Sequence, residues 1–337
     1  MKLDWRVSGL ALREPLRISR SVMAERDAVT LTLDDDDGDL GHGEIVTSVY
    51  YELDVPRIEA ELADAQAKLA DLTPEEAIHT DLRQASPGVR AALDAALHDL
   101  LARKRGIAVH ELIGAEPPGS VPTARTIGIT STEQAVAEAI GLVGQGYQLL
   151  KVKLGTGADE LARVAAIREA APHAKILLDP NGAWEPEEAE RMLCAATEFD
   201  IDAVEQPIAP GTPELLAEVA ENSPIPVVAD EDAGVPEDVR RLGSRVHGIN
   251  IKLPECGGIR AAREIIDTAD DLGVDVMLGC QVASSLGIAP AMHLCGMARW
   301  VDLDGHLLLA RDPWTGLGGQ NGRLHIAGLI GLGVRPA

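Results

Sequence analysis

One pattern repeats from residue 121 to residue 305: a short run rich in valine, isoleucine and leucine ends in polar or charged residues, and a helical stretch follows. The runs are VPTARTIGI (121–129), LLKVKLG (149–155), KILLDPN (175–181), DAVEQPI (202–208), PVVADED (226–232), GINIKLP (248–254), DVMLGC (275–280) and VDLDG (301–305). Their ends lie roughly 22 to 28 positions apart, the length that a strand and a crossover helix need. Alternating strands and helices predict a parallel sheet, and eight strands predict a closed α/β barrel.

The rest of the chain predicts a second domain. Segments around residues 4–12 and 28–33 alternate apolar and polar residues as strands do, and residues from about 55 to 112 are typical of helices. We therefore expect an α+β domain over residues 1–119 before a barrel over residues 120–311, with the segment 312–337 returning to complete the first domain. No GxGxxG motif follows any apolar run, which disfavours an open dinucleotide-binding sheet.

Composition and charge disfavour several classes of partner. The formal net charge is −24 and aromatic residues make up 2% of the chain, so the basic surface and stacking rings of nucleic-acid-binding proteins are not expected. The sequence shows neither a signal-peptide-like apolar segment near residue 1 nor an uncharged membrane-spanning run. Its four cysteines lie far apart and form no CxxC pair, which predicts reduced thiols and not disulfides or a zinc site. These features predict a cytoplasmic protein that binds neither nucleic acid nor membranes.

Three acidic residues, Asp179, Glu205 and Asp230, lie at the ends of three consecutive apolar runs. The carboxyl ends of barrel strands meet at one mouth, so these side chains are expected to converge there. Three carboxylates suit a Mg²⁺ ion that keeps positions open for substrate oxygens. The alternative is that each acid caps the helix that follows it.

Lysine is scarce, yet three of the seven lysines, Lys151, Lys153 and Lys252, lie at the ends of these runs. Unlike arginine, lysine can lose its proton. Lys151 and Lys153 are two apart and face the same way, so their mutual repulsion is expected to lower the lysine pKa. Lys252 lies across the barrel. Two lysines around a metal could take the α-proton of a carboxylate substrate and return a proton to the opposite face, or they could only neutralise the acids.

Two further acids, Asp302 and Asp304, follow the eighth run and point the same way. Such a pair is costly unless it meets a cation, and the ammonium group of a substrate would supply one.

Several motifs resemble the muconate-lactonizing-enzyme subgroup of the enolase superfamily. They are GHGE (41–44), KVKLG (151–155), LLDPNGAW (177–184), VEQP (204–207), VADED (228–232), NIKLPECGGI (250–259) and GLGV (331–334). The resemblance implies a (β/α)7β barrel, a modified TIM barrel, with an α+β capping domain, and a homo-oligomer. It implies Mg²⁺ bound by Asp179, Glu205 and Asp230, acid and base roles for Lys153 and Lys252, and a tuning role for Lys151.

The segment VDLDGHLLLARDP (301–313) is similar to the DxD segment of dipeptide epimerases. That resemblance implies that Asp302 and Asp304 hold the α-amino group of a dipeptide. Arg20 falls where an Ala-Glu epimerase has an arginine in its capping loop, and this second resemblance implies that Arg20 contacts an acidic end of the substrate. The resulting hypothesis is a Mg²⁺-dependent epimerase that inverts the α-carbon of the carboxy-terminal residue, with L-Ala-D/L-Glu as the best single substrate.

The sequence departs from the resemblance at two places and leaves alternatives open. Asp232 stands where the family commonly has serine, and the segment GCQVASS is unusual, so Gln281 is expected to line the side-chain pocket. Asn181, Glu231 and Asp232 are expected to support the metal ligands. The alternatives are an N-succinylamino acid racemase, an o-succinylbenzoate synthase, a muconate cycloisomerase, a barrel with a Schiff-base lysine, and a barrel that only binds a ligand.

Overall fold

The structure is a computed structural model that describes residues 1–35, 37–157, 159–328 and 330–337. Its strands are β1 (Lys2–Arg17), β2 (Val22–Asp34), β3 (Leu40–Val46), β4 (Val121–Pro122), β5 (Ala124–Ile127), β6 (Leu149–Lys153), β7 (Lys175–Asp179), β8 (Ala203–Glu205), β9 (Val227–Ala229), β10 (Gly248–Lys252), β11 (Asp275–Gly279), β12 (Trp300–Val301), β13 (Trp314–Thr315), β14 (Arg323–Leu324) and β15 (Arg335–Pro336). Its α-helices are α1 (Val55–Leu69), α2 (Pro74–Ala77), α3 (Pro87–Arg105), α4 (Val109–Leu112), α5 (Thr132–Gly144), α6 (Asp159–Ala170), α7 (Pro186–Ala196), α8 (Pro213–Glu221), α9 (Pro236–Leu242), α10 (Leu253–Cys256), α11 (Ile259–Leu272) and α12 (Ser285–Met292).

Strands β5 to β12 form the predicted parallel sheet. Neighbours in the chain are neighbours in the sheet, and helices α5 to α12 fill the seven connections, so the (β/α)7β barrel is confirmed. The first strand starts later than its apolar run. Val121 and Pro122 form β4 instead, which pairs antiparallel with β14. Proline has no N–H to donate to a central ladder, so a short edge pair suits it.

The alternation of side chains along each barrel strand decides which residues reach the mouth. In β6, Leu150 and Val152 are buried in the core against the surrounding helices, while Lys151 and Lys153 face the other way, into the barrel. Below them a separate apolar layer fills the barrel; it consists of Ala124, Leu149, Leu177, Ala203, Val228, Met277 and Trp300. This apolar layer therefore closes the barrel interior below the charged residues.

The N-terminal part is the expected α+β arrangement. Strands β1, β2 and β3 form an antiparallel sheet, and their apolar side chains pack with those of α1 and α3 in a core of their own. The third strand was not predicted, because it carries the glycines of GHGE. Gly43 lies so close to α3 that a β-carbon there would be 2.1 Å from the Ala92 carbonyl oxygen. Glycine is needed at this contact, although it is unfavourable for an isolated strand.

The C-terminal segment contacts both parts of the molecule. The backbone N–H of Leu332 donates to Asp99 on α3 at 2.8 Å, and Gly319 accepts a hydrogen bond from Tyr147 beside the barrel. The division at residue 119, and the assignment of residues 312–337 to the first domain, stay predictions. No helix in the described ranges is long and apolar enough to cross a membrane.

Glu44, the last residue of GHGE, links the N-terminal sheet to the barrel. Its carboxyl oxygens accept hydrogen bonds from the backbone N–H of Ser284 at 2.8 Å and from the Ser284 hydroxyl. Burial raises the pKa of the Glu44 carboxyl to about 7, although both bonds from Ser284 act to lower it. Below pH 7 the neutral acid is therefore the predominant form of Glu44 in the folded protein.

We expect Glu44→Gln to change how stability depends on pH. A raised folded-state pKa contributes stability below the unfolded value, near 4.5, and this contribution is lost as the pH rises through about 7. Relative to the variant, the wild type should lose about 3 kcal/mol of unfolding free energy across that window. Chemical denaturation of both proteins from pH 4.5 to 8 measures the difference, and a pH-independent difference would contradict the prediction.

Candidate active site

The barrel mouth opens into a cavity of about 330 Å³ that lies between the barrel and the N-terminal sheet. Lys151, Lys153 and Lys252 line it from the barrel strands. Arg20 and Tyr51 line it from loops of the N-terminal part. A small molecule bound here would be enclosed by residues that are far apart in the sequence.

The three predicted metal-ligand carboxylates lie side by side at the mouth. Asp179 ends β7, Glu205 ends β8 and Asp230 follows β9, and all three are buried. The Asn181 backbone N–H donates to Asp179 Oδ1 at 2.8 Å, and the Asn250 side-chain amide donates to Glu205 Oε1 at 2.8 Å. None of these acids caps the helix that follows through a side-chain bond at its N-cap position, so the capping alternative is not supported.

Lys153 and Lys252 stand on opposite walls. Lys153 ends β6 and Lys252 ends β10, and the strands between them in the sheet are β7, β8 and β9, which position the three acids. Lys153 Nζ lies 2.5 Å from Asp179 Oδ2, and Lys252 Nζ lies 2.5 Å from Asp230 Oδ2. The arrangement predicted from the spacing of the runs is therefore present: the two lysines line one cavity from opposite walls, and the three carboxylates lie on the strands between them.

The ammonium group of Lys151 forms ion pairs with three carboxylates. Its Nζ lies 2.5 Å from Glu205 Oε2, 2.7 Å from Asp302 Oδ2 and 3.0 Å from Asp179 Oδ2. Burial by itself lowers the pKa of Lys151, but the carboxylates more than offset it, and the pKa rises well above its ordinary value. For Lys151 the expected lowering of the pKa by repulsion from Lys153 is not found, because three carboxylates in contact outweigh one neighbouring ammonium.

The pKa of Lys252 rises for the same reason. Burial by itself lowers the pKa of Lys252. The nearby carboxylates of Asp230, Glu255 and Glu205 raise this pKa by more than burial lowers it.

The donor chemistry of the mouth fits a divalent cation. No group of three or more histidine, cysteine or acidic side chains in the described part of the chain is gathered as a ready metal site, and the carboxylates contact lysine ammonium groups. Three carboxylates on adjacent strands are nevertheless hard oxygen donors of the kind that Mg²⁺ prefers. Asp230 Oδ1 is buried without a hydrogen-bond partner among the described atoms, so it retains capacity to coordinate a cation.

Asp302 and Asp304 both line the cavity, but their surroundings differ. Among the described residues, Lys151 is the only hydrogen-bond and ion-pair partner of the Asp302 carboxylate, through Oδ2, and Oδ1 is buried without a hydrogen-bond partner. Asp304 accepts hydrogen bonds from Arg125 Nη1 at 3.1 Å and from the Thr126 backbone N–H at 2.8 Å. The sequence argument that both acids need a substrate cation therefore applies more strongly to Asp302 than to Asp304.

Arg20 and Gln281 lie at the cavity, each with a partner in the protein. The Arg20 guanidinium forms an ion pair with Glu231 and lies over the ring of Tyr50, 4.7 Å from its centroid. Gln281 donates to Glu255 Oε1 at 3.1 Å. Glu231 therefore links the barrel rim to the N-terminal loop, and an acidic substrate group would have to compete with it for Arg20.

Asp232 supports the three predicted metal-ligand carboxylates through hydrogen bonds and is not one of them. Its carboxylate accepts hydrogen bonds from Gln206 Nε2 at 2.9 Å and from the Gly211 N–H at 2.7 Å. Gln206 in turn accepts a hydrogen bond from the backbone N–H of Asp230 at 2.9 Å. Asn181 lines the cavity itself and has a positive φ of 50°.

Sequence reasoning missed other residues of the site. Asn250 lies two positions before Lys252 in β10, so the alternation along that strand could have placed it inside the barrel. Arg26 and Tyr51 belong to the N-terminal part, and no motif links them to the mouth. Burial lowers the pKa of Arg26 to about 10, and its Nη1 donates to the Val282 carbonyl oxygen at 3.1 Å.

Comparison with known proteins agrees with this architecture. The family model described as "Enolase C-terminal domain-like" matches residues 134–337. The model described as "Mandelate racemase / muconate lactonizing enzyme, N-terminal domain" matches residues 6–114. The chain belongs to the mandelate racemase/muconate lactonizing enzyme family. The resemblance that the motifs indicated is therefore confirmed, together with its two-part fold.

Characterised members of this family resemble the chain over much or nearly all of its length. An L-Ala-D/L-amino acid epimerase of Flavobacterium johnsoniae is 32% identical over 342 residues, which cover 99% of each chain. An N-acetyl-D-glutamate racemase of Pseudoalteromonas is 39% identical over 223 residues, 66% of this chain and 69% of the relative. The crystal structure of a Methylococcus capsulatus dipeptide epimerase, complexed with Mg and L-Arg-D-Lys, is 30% identical with a TM-score of 0.91, covering 99% of this chain and 98% of that one.

Proposed function

We propose that this protein is a Mg²⁺-dependent dipeptide epimerase, an isomerase that inverts the α-carbon of the carboxy-terminal residue. The observation that carries the proposal is the placement of Lys153 and Lys252 on opposite walls of the mouth. Two groups that flank a carbon can remove a proton from one face and return a proton to the other. The similarity to epimerases over nearly the whole chain supports the same reaction.

The lysines would exchange protons with the substrate in two balanced steps. With Mg²⁺ rather than the ammonium group neutralising the neighbouring carboxylates, the amine on one wall would be neutral and would take the α-proton. The electron pair of the broken C–H bond would move into the adjacent carboxylate of the substrate. The ammonium group on the other wall then gives its proton to the opposite face of the α-carbon, and a new C–H bond forms. Lys153 serves one diastereomer as base and Lys252 serves the other, which makes the reaction reversible.

The remaining residues would bind and orient the dipeptide. Asp179, Glu205 and Asp230 would hold Mg²⁺, which supplies positive charge where negative charge develops on the substrate carboxylate. Asp302 has a buried, unpartnered oxygen that would accept a hydrogen bond from the α-amino group. The loops that carry Arg20 and Tyr51 cover the mouth and would exclude water from the reacting carbon.

The identity of the dipeptide stays a prediction. L-Ala-D/L-Glu was expected because Arg20 could bind an acidic side chain, but Arg20 pairs with Glu231. Substrates with basic or apolar side chains therefore belong in the same test. The expectations of a homo-oligomer and of a cytoplasmic location also stay predictions.

The test is α-proton exchange in D₂O with Mg²⁺ present. We expect L-Ala-L-Glu, or another L-Ala dipeptide with a basic or apolar second residue, to lose its carboxy-terminal α-proton signal in NMR spectra and to form the second diastereomer. The matched control is the double variant Lys153→Ala, Lys252→Ala, which should show neither change. Absence of α-deuterium from every member of the panel would exclude the epimerase proposal.

A further inference from the structure

The two acids at the predicted amino-group subsite differ in how much of their charge the protein already neutralises. Asp304 Oδ2 accepts from Arg125 at 3.1 Å and from the Thr126 N–H at 2.8 Å, and Asp304 Oδ1 accepts from the Thr126 hydroxyl at 3.3 Å. Both of its oxygens therefore have donors from β5. The ion pair is well shielded, since 15% of the Arg125 side chain and 4% of the Asp304 side chain are exposed.

Asp302 keeps an acceptor for the substrate. Its only hydrogen-bond donor among the described residues is Lys151, which it shares with Asp179 and Glu205. Its Oδ1 is buried without a partner in the same set of residues. A buried carboxylate oxygen without a donor is costly, so a donor from a bound molecule would be favourable.

Resting on the proposed function, we propose that Arg125 determines specificity at the amino-group subsite. By neutralising Asp304 it leaves Asp302 as the acceptor for the substrate's α-amino group, and it lets the subsite also admit an uncharged N-acyl group. Without Arg125, Asp302 and Asp304 would both be negatively charged at the subsite, so a substrate with a cationic group would bind much better than a neutral one. With Arg125 present, only the charge of Asp302 favours a cationic group, and Lys151 already offsets part of that charge.

The contacts of Arg125 indicate that it acts on substrate binding through its charge and not by holding Asp304 in place. The Thr126 amide and hydroxyl already fix both oxygens of Asp304, so the carboxylate does not need Arg125 to hold its orientation. What Arg125 adds is a full positive charge in a shielded site, where a single charge changes binding more than it does in water. Its other hydrogen bond goes to the Leu307 carbonyl oxygen at 3.4 Å, outside the acidic cluster.

The experiment compares two substrates that differ by one amino group. L-Ala-L-Xaa and N-propionyl-L-Xaa share a skeleton, where Xaa is the residue that the dipeptide panel identifies, and only the first carries an ammonium group. In the wild type we expect α-proton exchange with both compounds. In Arg125→Gln the ratio of kcat/KM for the dipeptide to that for the propionyl compound should rise by about tenfold or more. The change should lie in KM, because the group concerned is remote from the α-carbon.

Two control variants separate charge from structure. Arg125→Lys keeps the charge and should retain the wild-type ratio within about threefold. Arg13→Gln removes a nearby arginine that donates to the Leu309 carbonyl oxygen and lines the groove beside Arg125, and it should leave the ratio unchanged. If Arg125→Gln does not fold, Asp304→Asn replaces it. That variant leaves Arg125 uncompensated and should lower the ratio by about tenfold.

The outcomes distinguish this proposal from the proposed function. An active Arg125→Gln with an unchanged ratio, or a wild type that exchanges the dipeptide but never the propionyl compound, would overturn the role of Arg125 alone. No exchange by the wild type with either compound would overturn the proposed function as well.

Discussion

Replacing Lys153 or Lys252 by alanine is expected to lower the rate of epimerisation by at least about 1000-fold, because each variant lacks the proton donor or acceptor on one face of the α-carbon. The two variants should also differ in which diastereomer still exchanges its α-proton. Each keeps one amine, so each should still exchange the α-proton of the diastereomer that presents its proton to that amine. NMR in D₂O on the separate L,L and L,D dipeptides measures both effects.

Lys175→Ala is the matched control for these variants. Lys175 begins β7, at the end of the strand away from the mouth, and its ammonium pairs with Asp202 at 3.1 Å on the surface. This variant should epimerise at the wild-type rate. Loss of exchange for the same diastereomer in both Lys153→Ala and Lys252→Ala would show that the lysines do not act on opposite faces.

Removal of Mg²⁺ by EDTA is expected to lower activity by at least about 1000-fold, and added Mg²⁺ should restore it. Binding should also be visible without catalysis. At Mg²⁺ concentrations well above its dissociation constant, the melting temperature should rise by about 3 °C or more. Asp230→Asn removes one of the three carboxylate charges, so this variant should lose both the activity and the Mg²⁺-dependent rise in melting temperature.

The control for the metal prediction is Asp275→Asn. Asp275 starts β11 at the closed end of the barrel and pairs with Arg299 at 2.5 Å. It should respond to Mg²⁺ as the wild type does. Full activity in EDTA would contradict the proposal and would favour the Schiff-base alternative, which borohydride trapping of a carbonyl substrate on Lys153 or Lys252 would then reveal. Ligand binding without α-proton exchange would favour a barrel that only binds.

Much of the fold was predictable because the barrel strands are local features of the chain. Each strand is a short apolar run, and the regular separation of the runs reflects the length of one helical crossover. The strand β3 was not predictable in the same way. Gly41 and Gly43 make it a poor strand by local preference, and only its close packing on α3 explains why glycine is required there.

The same distinction applies to the site. Strand position placed Asp179, Glu205, Asp230, Lys153 and Lys252 at one mouth, because residues at the carboxyl ends of parallel strands converge. The sequence could not predict that Arg20 pairs with Glu231, or that Arg125 neutralises Asp304. Each of those pairs joins residues that are more than 170 positions apart.

The sequence by itself determined the barrel and which acids and lysines face the mouth, because these follow from local periodicity and from the order of strands. Its motifs indicated the family. Only the tertiary structure decided which charges neutralise each other. The pKa of Lys151 and the free oxygen of Asp302 depend on contacts between strand ends. The closeness of two side chains from distant strands, and the exclusion of water around them, exist only after the chain has folded.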